Sequence, residues 1–86
     1  MNFVTELTHW CPDTRLYRTP DGQHYAITVA NYFTAQGTEI FLCDETGIAM
    51  DADGNPANGL TPLLRLPHGT SFEEALEALE HITKLN

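Results

Sequence analysis

Eighty-six residues bound this chain to one domain, and a hydrophobic content of 42% with eight aromatics places it among folded rather than disordered sequences. Twelve acids against four Lys and Arg give a formal net charge of −8. That balance excludes a basic stripe for direct nucleic-acid binding and repels an anionic membrane surface.

The acids are unevenly spread. Residues 39 to 80 hold Glu39, Asp44, Glu45, Asp51, Asp53, Glu73, Glu74, Glu77 and Glu80, with Arg65 as the one base among them. The first 38 residues hold three acids and two arginines. No apolar run approaches the ~20 residues of a membrane-spanning helix. Residues Met1 to Glu6 lack the basic start and apolar core of an export signal, so a cytoplasmic location is expected. Two cysteines are too few for a disulfide framework. Reduced thiols are the expectation, with a Cys11–Cys43 bridge as the alternative.

Phe3 to Trp10 alternates and reads as a strand, with Phe3, Thr5 and Leu7 on one face and Val4, Glu6 and Thr8 on the other. Cys11-Pro12-Asp13 breaks it, and Arg15 to Arg18 resumes an extended pattern. Thr19-Pro20-Asp21-Gly22-Gln23 predicts a three-residue hairpin turn, Gly22 taking the left-handed position. His24 to Asn31 follows as the partner strand. Its Tyr25, Ile27 and Val29 share one face; Ala26, Thr28 and Ala30 leave room for close packing on the other.

Ala35-Gln36-Gly37 predicts a turn. Thr38 to Cys43, apolar on both faces at Ile40 to Cys43, predicts a central strand covered on both sides. Asp44-Glu45-Thr46-Gly47 turns the chain into a short strand at Ile48 to Met50. Residues 51–69, with three prolines, predict a long surface loop pinned to the core by Leu60, Leu63, Leu64 and Leu66.

The last element predicted is a helix over 71–84. Ser71 and Glu74 have capping-box spacing. Phe72, Ala75, Leu76, Leu79 and Ile82 make one apolar stripe, from which Leu76, Leu79 and Ile82 are expected to be buried. Glu73 and Glu74 suit the positive end of the helix dipole and Lys84 the negative end. The sum is an α+β fold: an antiparallel meander of four to five strands with one C-terminal helix across a face.

Sites of chemistry do not emerge. Asp51 to Asn55 resembles a calcium loop only briefly, because positions six and twelve fall on Pro56 and Pro62. His9, Cys11, His24 and Cys43 lack the spacing of a zinc knuckle. The chain carries no phosphate-binding glycine loop and no nucleophile elbow. No catalytic residue, metal or cofactor is therefore assigned. The candidate binding residues are the helix carboxylates Glu73, Glu77 and Glu80, together with Asp44 and Glu45.

The second half has a familiar look. An extended run ends in the acidic turn Asp44-Glu45. Then come Leu60-Thr61-Pro62-Leu63, Gly69-Thr70, and Glu74-Ala75-Leu76 opening a helix. Across about residues 38–80 this resembles small uncharacterised accessory proteins of actinobacterial phages. The resemblance implies an accessory gene product acting in a bacterial cytoplasm, and it brings no catalytic residues.

The expected function is non-catalytic binding of a host or phage protein with a basic surface, without direct nucleic-acid or membrane contact. A DNA mimic, whose carboxylates stand in for phosphates, is one version. The alternative is a minor virion or assembly component that forms a homo-oligomer through its edge strands.

Overall fold

The computed structural model describes residues 2–7, 13–29, 37–51, 53, 55 and 62–84. Five strands pair in chain order: β1 (Asn2–Glu6), β2 (Thr14–Arg18), β3 (His24–Thr28), β4 (Thr38–Cys43) and β5 (Leu64–Leu66). Every neighbouring pair is antiparallel. Helix α1 (Phe72–Lys84) packs over β3 and β4. The fold is the α+β meander with one C-terminal helix that the sequence predicts.

Three turns repeat one design. At the hairpin between β2 and β3, Thr19 N–H donates to Gln23 O and Gly22 N–H to Thr19 O, with Gly22 at φ 95°. After β4, Asp44 N–H donates to Ile48 O and Gly47 N–H to Asp44 O. At the third, Asp51 N–H donates to Asn55 O. In each case the first residue's side chain accepts the backbone N–H four residues on: Gln23 on Thr19, Ile48 on Asp44 and Asn55 on Asp51, all at 3.0 Å. A short polar side chain thus replaces a ladder bond, and glycine supplies the left-handed step at Gly22 and Gly47.

The sheet carries a core on each face. On the helix side, Tyr17, Tyr25, Ile27 and Ile40 meet Ala75 and Leu79. On the other side, Leu16, Ala26, Phe41 and Cys43 pack with Leu7. β4 feeds both, as its apolar run predicts: Ile40 points to one core, Phe41 and Cys43 to the other. Ala26 leaves the room expected of it. Thr28, on the same face, exchanges a hydroxyl hydrogen bond with Thr14 across β2 and β3. The sheet curls over this second face. Leu7, just past β1, reaches the turn beyond β4, its Cδ2 lying 2.6 Å from where a Cβ on Gly47 would stand. Flat strands at ~4.8 Å spacing would hold these residues too far apart for contact.

Four expectations are corrected. Phe3 and Thr5 do not share a face, because Phe3 registers with Tyr17 and Thr5 with Leu16. Val4 is the extra residue of a β-bulge, which inverts the alternation beyond it. Ile48 to Met50 forms isolated bridges, Ala49 pairing with Cys43, rather than a strand. Leu64–Leu66 is an edge strand rather than loop, its alternation continuing the sheet beside Thr38, Glu39 and Ile40. On the helix, Leu79 and Ala75 are fully buried, while Leu76 and Ile82 are only half-buried because they flank the stripe's centre.

The strand ends expected at Thr8 to Trp10 and at Ala30-Asn31 lie outside the described residues. So do the break at Cys11-Pro12, the turn at Ala35-Gln36, and Leu60. Among the described residues, no helix is long and apolar enough to cross a membrane.

Candidate functional site: an acidic helix face

The helix is fixed at its start by several independent contacts. Glu74 N–H donates to Ser71 Oγ at 3.2 Å, and Ser71 N–H donates back to Glu74 Oε1 at 3.2 Å. This is the predicted capping box, formed reciprocally. Thr38 Oγ1, on β4, donates to Thr70 O at 2.6 Å and ties the entry turn to the sheet. The Arg15 guanidinium, on β2, lies 4.1 Å from the centre of the Phe72 ring and 5.7 Å from that of Phe3. A cation over two aromatic faces holds the helix start against the first two strands.

Burying Ala75 and Leu79 turns the opposite stripe outward. Glu73, Glu77 and Glu80 stand at i, i+4 and i+7, one line along the helix. Glu73 and Glu77 are exposed and Glu80 is half-buried. Glu74 is exposed too, but its carboxylate is engaged in the cap. The fold therefore presents Glu73 and Glu77 to solvent on a rigid support, with Glu80 half-buried at the end of their row.

Asp44 and Glu45 do not join that row. They occupy the turn after β4, whose six residues, at ~3.3 Å each, span about 20 Å from the helix start. Asp44 is also committed locally. Its Oδ1 accepts from Thr46 Oγ1 at 2.6 Å, Thr46 N–H at 2.8 Å and Ile48 N–H at 3.0 Å. The Thr46 hydroxyl, and then the Ile48 amide, hold its carboxyl below the usual 3.8. Glu45 is exposed.

Asp51 behaves as a turn residue rather than a calcium ligand, its Oδ1 accepting from Asp53 and Asn55 N–H at 2.9 and 3.0 Å. Of the zinc candidates, His9 and Cys11 lie outside the described residues. His24 and Cys43 face each other across β3 and β4. Cys43 is a free, fully buried thiol, pushed up to about 12 by burial and then by the Asp44 charge. At neutral pH it is a protonated apolar side chain rather than a nucleophile. Among the described residues, no three of His, Cys, Asp and Glu cluster to hold a metal ion.

One charged residue departs from the solvated acids. Glu39 is 1% exposed on β4, where Arg65 Nε donates to its Oε2 at 2.9 Å from β5. Its position on the face of Phe41 and Cys43, and Arg65 as the one base between residues 39 and 80, were the signals in the sequence. Glu39 is thus withdrawn from the external field, and Arg65 is held beside it.

Neither a curated protein nor a solved structure matches the chain. A family model described as a family of unknown function, DUF7572, matches residues 2–82, from the first strand to the last turns of the helix. On that span, this α+β chain belongs to the family DUF7572.

Proposed function

We propose that this chain is a small non-catalytic binding protein whose helix carboxylates dock on a basic protein surface. The observation that carries this reading is the exposed pair Glu73 and Glu77, in line with the half-buried Glu80, on a helix whose other face seals the main core. The capping box, the Thr38 bond and the Arg15 contact give that row a fixed geometry. Fixed charges of one sign steer a basic partner and fix its orientation more than they add raw affinity. The resemblance of residues 38–80 to phage accessory proteins supplies the setting, a bacterial cytoplasm and a host or phage protein as partner.

The DNA-mimic version asks for more. Phosphate mimicry needs many carboxylates free to face a cleft, and here Asp44 and Asp51 accept their own turn amides while Glu39 is buried. A protein partner engaging one helix fits the geometry better.

The test compares the wild-type chain with the Glu73→Gln, Glu77→Gln, Glu80→Gln triple variant as baits in a bacterial lysate at low and high salt. The reading expects a partner held by the wild type at low salt, and released both by salt and by the triple change. A partner retained equally by both baits overturns it.

A further inference from the structure

The two edges of the sheet are finished differently. On the far side of β4 the edge is divided between two short pieces. Leu63 N–H donates to Ile40 O at 2.7 Å, leading into β5, and Met50 N–H donates to Leu42 O at 2.9 Å. β5 has only three residues, carries Arg65 at its centre and runs into Pro67. Short length, charge and proline all blunt an edge against further pairing.

β1 carries neither a proline nor a lysine. All five of its residues are exposed, including Phe3 at 54% and Val4 at 47%. The bulge at Val4 twists the strand but adds no charge. Among the described residues no strand pairs with the outer edge of β1, and an edge that carries two exposed apolar side chains is a template for another strand.

Charge selects the occupant. β1 lies in the near-neutral part of the chain, with three acids and two arginines in the first 38 residues against nine acids between 39 and 80. Two copies of a −8 molecule meet with least repulsion here. Arg15 and Arg18 stand on β2 directly behind the strand, opposite Glu6 and Asn2. The one charge on β1 is Glu6, at its end. Antiparallel self-pairing places the two Glu6 side chains at opposite ends of the interface, about 10 Å apart or more, whereas parallel pairing sets them face to face.

We propose that β1 pairs antiparallel with β1 of a second copy, joining two sheets of five strands into one of ten. A single five-residue edge falls below the ~1,200 Å² of a standard interface, so the dimer is weak and depends on concentration. This proposal is independent of the acidic helix face.

Sedimentation velocity over a concentration series tests it. The wild type should move from 9.6 kDa toward twice that mass as concentration rises. Val4→Lys, a charged change on the edge, should remain monomeric and melt as the dilute, monomeric wild type does. Leu63→Lys, the same change at an exposed residue on the opposite edge, should associate as the wild type does. A wild type that stays at 9.6 kDa throughout overturns the proposal. So does a Val4→Lys variant that still dimerises, or a Leu63→Lys variant that no longer does.

Discussion

Arg65 on the edge strand holds the buried carboxylate of Glu39 at 2.9 Å, so a three-residue strand is fastened to the sheet by charge as well as by its ladder. Arg65 is half-exposed and Glu39 is 1% exposed, which makes the pair asymmetric. Removing the arginine takes the cation away from a carboxyl group in the interior. Arg65→Met should cost about 2–4 kcal/mol, less than the loss for a fully buried pair, because water reaches the Arg65 side. Adding Glu39→Gln to that variant should restore part of the loss. Urea denaturation of both variants measures it, and equal stability of wild type and Arg65→Met would refute the pairing.

Leu79 has no exposed surface and sits between the helix and the sheet. Leu79→Ala should cost about 2–4 kcal/mol. Ile82, half-buried on the same helix, should cost clearly less when cut to alanine. Chemical denaturation of the two variants distinguishes a stripe centred on Leu79 from one shared evenly.

Gly37 and Gly22 both have left-handed backbone, at φ 96° and 95°. A Cβ on Gly22 meets nothing within 4 Å, so Gly22→Ala should cost only the conformational strain of about 1–2 kcal/mol. A Cβ on Gly37 would stand 2.6 Å from Leu66 O and 2.7 Å from His68 N. Backbone cannot rotate aside as a side chain does, so Gly37→Ala should cost markedly more. Melting temperatures of the two variants give the order.

Asp44 links stability to pH. Its carboxyl is held below 3.8 in the folded chain, first by the Thr46 hydroxyl and then by the Ile48 amide. A lowered acid contributes stability that is present above its unfolded value and is lost as pH falls through its folded value. The stability difference between wild type and Asp44→Asn should therefore shrink as pH drops below 3.8. Urea titrations at a series of acidic pH values check the sign, and a difference constant with pH would contradict it.

Local chemistry made much of this fold legible. The Thr19 to Gln23 turn, the Ser71–Glu74 box and the two-faced apolar run of β4 each reflect an interaction among nearby residues. Three features depended on distant partners. The bulge at Val4 has no glycine to announce it and exists only in the pairing with β2. Leu64–Leu66 is too short to show a period, and becomes a strand because β4 offers it an edge and Glu39 a partner for Arg65. Ile48 to Met50 has strand-like residues but occupies only the end of that same edge. Glu73 and Glu77 could be placed on the solvent side from the apolar stripe alone, whereas the half-burial of Glu80 and the commitment of Asp44 to its own turn needed coordinates.

The central claim is that Glu73, Glu77 and Glu80 form the docking surface, and association kinetics address it most directly. Glutamine at all three positions keeps helix shape and removes charge. With a captured partner, the wild-type on-rate should fall steeply as salt shortens the Debye length from ~10 Å at 0.1 M to ~3 Å at 1 M. The triple variant should start slower and respond less to salt, with an unchanged circular dichroism spectrum. Equal on-rates for both proteins, alike at low and high salt, would contradict the account and leave these carboxylates only the role of keeping the chain soluble.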